Sequence, residues 1–98
     1  MGFRPEQSLT VDNARETLAA GLQAIAGGQE VIDFSGLATV DSAAVAVLLA
    51  WQRAARRQAS TLSFVNQPEM LRSLATLYGV APFLPAQQEA GIAVQPVV

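Results

Sequence analysis

The chain has 98 residues, 51% of them hydrophobic and only 14% charged, with a mean hydropathy of +0.31; this is enough for one domain with its own core and far from the composition of disordered chains. It has no cysteine and no histidine, and its six basic residues are all arginine, which excludes disulfides, thiolate zinc sites, imidazole-dependent triads, a Walker lysine and Ser-Lys or Schiff-base chemistry. A net charge of −2 and a pI near 4.8 supply no electrostatic footprint for nucleic acid.

Taken in order, "MGFRPEQ" has no apolar signal core, and Glu6 breaks a myristoylation pattern; no apolar run approaches membrane-spanning length. The expectation is a cytoplasmic domain with no direct membrane insertion. "FRPEQSLTV" offers at most one short strand, broken by Pro5. "DNARETLAAGLQAIAGG" then places Ala14, Leu18, Leu22 and Ile25 on one stripe at helical spacing, with Asp12 or Asn13 as cap, Glu16 three residues after Asn13, and Gly27-Gly28 as the stop.

"EVIDF" reads as a buried strand bounded by Ser35-Gly36. The stretch after it, "TVDSAAVAVLL", puts Asp41 and Ser42 where either can cap a second helix, "AAVAVLLAWQRAARRQ". That helix is apolar over most of its circumference, so it is expected to pack on a sheet and on something else, with Trp51 left partly exposed. "STLSFVN" reads as another strand, and "QPEMLRSLATLYG" as a third helix with Pro68 at its first position, Gly79 past its end and a stripe of Met70, Leu71, Leu74, Leu77 and Tyr78. In the proline-containing remainder "GIAVQ" has the character of an edge strand.

Strands alternating with helices predict an α/β fold, a mixed but mostly parallel sheet of about four strands with three or so helices packed on it. No repeat, low-complexity tract or linker divides the chain, so residues 1–98 read as a single domain, with residues 86–98 as a flexible tail or edge strand.

Few residues carry chemistry. On local grounds Asp41-Ser42 is first a helix cap, although a hydroxyl at a helix N-terminus also suits a phosphate or an acidic partner group. The Arg53, Arg56 and Arg57 cluster is favourable charge at a helix C-terminus before it is a docking patch. A carboxylate pair of Asp33 with Asp41 lacks an oxyanion or electrophilic partner, and the loop from Ser35 to Asp41 lacks a glycine-rich phosphate cradle. An enzyme is therefore the class with least support, and no cofactor or metal is expected.

The segment "VIDFSGLATVDSAAVAVLLAWQRAARRQ" resembles the signature of STAS domains, in which a buried strand leads through a loop to Asp-Ser or Asp-Thr at a helix start. "LSFVNQPEMLRSLATLYGVAPFLP" looks like the closing strand and helix of the MlaB subgroup, the small cytoplasmic subunit of the Mla phospholipid-transport ABC system, so the resemblance covers about residues 8–85. It implies a non-enzymatic subunit that binds and supports a transporter ATPase subunit, peripheral to the inner membrane through that partner, in a system of outer-membrane lipid asymmetry. The contact surface would be Asp41, Ser42, Ala43, Val45, Ala46, Leu49, Trp51 and Arg53, where the small residues of "SAAVA" permit close backbone approach. The isolated domain is also a candidate homodimer.

The first half of the pattern fits an anti-sigma-factor antagonist as well. Resemblance to that branch would put its phosphoacceptor at the second residue after the Asp, which here is Ala43, so phosphorylation would fall on Ser42 instead. The resemblance also implies a fuller first β-hairpin than this chain supplies, leaving "GIAVQPVV" to cover a sheet edge.

Overall fold

The computed structural model describes residues 2–84 and the backbone of residues 87–88. Its elements are β1 (Ser8–Leu9), α1 (Ala14–Ala26), β2 (Val31–Asp33), β3 (Thr39–Val40), α2 (Ser42–Arg57), β4 (Ser63–Val65), α3 (Glu69–Leu77), a 3-10 turn (Ala81–Phe83) and β5 (Gln87–Gln88). Every strand pairing among the described residues is parallel: β2 with β4, β4 with β5, and β1 with β3. Parallel neighbours need crossovers, and α2 and α3 supply them on either side of β4. The α/β architecture expected from the sequence is the one found, its strands divided between a three-stranded and a two-stranded sheet.

The N-terminal segment runs alongside the chain from β2 to β3. Phe3 N donates to the Val31 carbonyl at 2.9 Å and Asp33 N to the Phe3 carbonyl at 2.8 Å, and pairing resumes as Ser8 opposite Thr39. Between these contacts lies Pro5, buried and without an N–H for a ladder, so the segment expected to give at most one short strand broken by Pro5 pairs in two short pieces, one on each side of it. The same pairing draws Thr39–Val40 into extended conformation, where the sequence reads as a loop; the partner strand imposes it. β5 covers the far side of β4, while the edge strand expected in "GIAVQ" and the rest of the tail lie outside the described residues.

The core joins Ile32, Phe34 and Phe64 of the sheet to Ala44, Val47, Leu48, Trp51 and Ala55 of α2, Ile25 of α1 and Leu71 of α3. α2 is thus the central helix, packed on α1, on α3 and on the sheet. Trp51, expected to be partly exposed, is fully buried, because α1 covers the face that one sheet cannot. Gly21 makes this possible: a Cβ there would run into the indole ring. Phe3 and Phe34 complete the aromatic cluster around Trp51, at centroid distances of 5.7 and 6.5 Å.

The helix ends correct some expectations. Asn13 precedes α1 without capping it by its side chain; Oδ1 accepts from Thr10 N at 3.0 Å and Nδ2 donates to the Ser8 carbonyl at 2.8 Å, which closes the β1–α1 turn. Gly28 (φ +104°) and Gly79 (φ +71°) take the left-handed backbone that follows α1 and α3. Pro68 stands at the N-cap position of α3, with no side-chain cap bond, rather than at its first helical position. Of the stripe expected on α3, Leu71 is buried with Ala75, but Met70, Leu77 and Tyr78 are more than half exposed.

Candidate functional site

The start of α2 is fixed from two directions by one carboxylate. Asp41 is extended (φ −138°, ψ −170°), the conformation an N-cap requires, and its Oδ1 accepts from Ala43 N at 2.8 Å. Its Oδ2 accepts from Val11 N at 3.0 Å, across 30 positions of sequence. Asp41 therefore caps the helix and ties the β1–α1 turn to it. Of the two residues that the sequence offered as caps, Asp41 holds the role; Ser42 is the first helical residue, and its exposed side chain makes no hydrogen bond among the described residues.

Beyond Ser42 the helix sorts the remaining candidates by face. Ser42, Ala46 and Arg53 are exposed and Leu49 is half-buried, and the spacing 42, 46, 49, 53 is one outward stripe of an α-helix, continued by exposed Arg56 and Arg57. Ala43 is half-buried with its N–H committed to Asp41. Val45 and Trp51 are 5% and 0% exposed, so these two expected contact residues present no side chain to a partner. Trp51 Nε1 is also spoken for, donating to the Leu18 carbonyl at 3.1 Å.

The second carboxylate of interest, Asp33, sits at the end of β2 and ties that end to its neighbours. Its Oδ1 accepts from Asn66 Nδ2 at 3.1 Å and from Ser35 N at 2.9 Å, and its Oδ2 lies 3.6 Å from an Arg4 guanidinium nitrogen. The Asn66 amide foremost, then the Ser35 N–H, hold this carboxyl below its ordinary range, with a smaller contribution from Arg4. Asn66 itself takes a left-handed backbone, φ 58°, which asparagine tolerates better than other non-glycine residues. Both acids thus hold backbone, a structural use unlike that of an acid–base pair.

The loop between Ser35 and Asp41 is occupied in the same way. Leu37 is buried in the core, and Ala38 N and Thr39 N both donate to the Gln7 carbonyl at 2.7 and 3.1 Å. The concavities nearby, of about 310 Å³ beside α1 and about 470 Å³ between Arg4 and Gly36, include neither Asp41 nor Ser42. Among the described residues no three acidic side chains gather as a metal site, and no helix is long and apolar enough to cross a membrane. What the start of α2 offers is a surface.

Sequence reasoning missed Val11, which is 74% exposed and held beside Ser42 by its bond to Asp41. No local pattern announces that contact. It also missed the socket at Gly21, although a glycine inside a helical stripe is a known signal for close packing.

Compared with known proteins, residues 6–85 match the family described as "Mlab, STAS domain". No curated protein matches the chain. Among solved structures, the anti-sigma factor antagonist SpoIIAA in its unphosphorylated form superposes with a TM-score of 0.66 at 22% identity, over 89% of this chain and 76% of that one. This likeness shows a shared fold.

Proposed function

The chain belongs to the STAS domain family, in the group described as Mlab, and from that premise we propose that it is a non-enzymatic subunit that binds and supports the ATPase subunit of an ABC-type phospholipid transporter. In this reading it resides in the cytoplasm and reaches the inner membrane through its partner. The observation that carries it is the family match across residues 6–85, and the outward stripe of α2 supports it at the level of residues. Small side chains at Ser42 and Ala46 let a partner backbone come close, Leu49 adds apolar area, and the free Ser42 hydroxyl fixes register. Such a surface serves recognition, in which a few well-placed groups set specificity.

The test is co-purification of this chain with the ATPase subunits of its own organism, comparing wild type with Ser42→Glu and recording ATPase activity of any complex. A stable complex with one lipid-transporter ATPase, lost in the variant while the fold is retained, supports both the assignment and the surface. Absence of any such complex overturns the assignment. The exposed Ser42 hydroxyl favours one second reading, a signalling module switched by phosphorylation of Ser42; an intact mass without added phosphate, after treatment with an active cognate kinase, rejects it.

A further inference from the structure

α2 and α3 pack side by side and run in the same direction, since each returns across the sheet to a parallel strand. On α2, Trp51 and Gln58 reach α1, which puts Val45 and Gln52 on the other side, in the seam with α3, and Leu49 and Arg56 on its outer shoulder. On α3, Leu71 and Ala75 are buried, and the right-handed crossover from β4 to β5 places Met70, Leu74 and Leu77 along the facing shoulder. These side chains are left open above the seam: Met70 is 61% and Leu77 75% exposed, with Leu49 and Leu74 half-buried. The two shoulders bound a shallow apolar groove.

Charge says what suits it. Although the whole chain carries a net charge of −2, α2 has no acidic residue and α3 only Glu69, in its first turn. Arg53 and Arg56 stand exposed along the α2 shoulder with no ion pair among the described residues. Beneath them Gln52 keeps its Oε1 buried without a donor, the one such side-chain atom among the described residues. Turning that carboxamide toward the groove breaks no hydrogen bond and offers it to an occupant.

We propose that this groove binds an amphipathic helix of a partner protein, its apolar stripe laid between Leu49 and the Met70, Leu74 and Leu77 shoulder, and its acidic side chains set against Arg53 and Arg56. Met70 to Leu77 spans about 10 Å, so roughly three turns of an incoming helix cover it. The groove shares Leu49 and Arg53 with the surface assigned above to the ATPase subunit, but it does not depend on that assignment.

Nuclear magnetic resonance titration of the isotope-labelled full chain tests this, with a helix-stapled peptide of about 15 residues that carries leucines on one face and glutamates beside them. The expected result is saturable shifts centred on Leu49, Gln52, Met70 and Leu77. Met70→Ala with Leu77→Ala, both at exposed positions, should weaken binding about tenfold while the fold is retained. Arg53→Glu with Arg56→Glu should abolish it and confer binding of the same peptide with lysines in place of glutamates. Gln52→Leu should raise the melting temperature and yet weaken binding, whereas a purely structural glutamine would change stability alone. No shifts with peptide at about 1 mM, equal binding of the lysine peptide by wild type, or shifts centred elsewhere overturn the proposal. Shifts at the same residues when the chain alone is concentrated place a second copy in the groove and overturn it too. Peptide binding without any ATPase complex leaves the groove standing while the function proposed above fails, and an ATPase complex without peptide binding does the reverse.

Discussion

The indole of Trp51 lies against the bare backbone of Gly21, and its Nε1–H donates to the Leu18 carbonyl of the same helix, α1, at 3.1 Å. This contact seats α2 on α1 and fixes which side of α2 remains outside. A methyl group at Gly21 would overlap both the pyrrole and the benzene part of the ring, and neither can retreat, because Phe3 and Phe34 stand against the ring. Gly21→Ala should therefore destabilise the domain by roughly 1–3 kcal/mol, even though alanine is the better helix former by about 1 kcal/mol. Thermal unfolding checks it; a melting temperature at or above wild type contradicts the socket.

Trp51→Ala should remove about 3–5 kcal/mol, a large part of the roughly 5–15 kcal/mol that holds a domain of this size together. Any loss of partner binding in that variant should coincide with loss of the cooperative thermal unfolding transition followed by far-UV circular dichroism. Unfolding explains it, and no contact with a partner need be invoked.

Asp41→Ala should cost about 1–2 kcal/mol by removing the cap on Ala43 N and the tie to Val11 N together. Asp41→Asn should fall between wild type and alanine, since one oxygen can satisfy only one of the two N–H groups. Urea titration orders the three proteins; an asparagine variant as stable as wild type would mean that the second tie carries nothing.

The Asp33 carboxyl is held below the ordinary aspartate value of 3.8, first by Asn66, then by Ser35 N–H, with Arg4 adding less. A carboxyl depressed in the folded state stabilises above its unfolded value, and that stabilisation is lost as pH falls through the folded value. Asn66→Ala should therefore weaken the protein at neutral pH and flatten the loss of stability below about pH 4, compared with wild type. Denaturant titrations at pH 7 and at about pH 3 measure this. Equal losses at both values would detach Asn66 from the ionisation of Asp33.

Ser42→Glu should leave stability within about 0.5 kcal/mol of wild type, because the side chain is exposed, bonds to nothing among the described residues and would place a negative charge at a helix N-terminus. A marked fall in melting temperature would show that the variant cannot serve as a probe of the surface.

Much of the architecture was legible in the chain itself. Apolar residues at helical spacing marked α1 and α2, Gly27-Gly28 and Gly79 marked the ends of α1 and α3, and the β-branched and aromatic runs around Ile32 and Phe64 marked the buried strands, because these signals act over a few residues. The family resemblance likewise rested on contiguous residues. Asp41 was readable as a cap for the same reason.

What the sequence could not decide is which apolar face meets what. The width of the apolar face on α2 was plain, but the choice between an exposed and a buried Trp51 depended on a glycine 30 positions earlier in another helix. The expected stripe on α3 split for a similar reason, with Leu71 inside and Leu77 outside, since a short helix packed on α2 and the 3-10 turn buries only the residues that face them. β3 is a strand only because β1 lies beside it. Period and composition fix elements locally, whereas packing is settled by surfaces distant in sequence, and the outward stripe from Ser42 to Arg53 is what remains once α1, α3 and the sheet have taken their shares of α2.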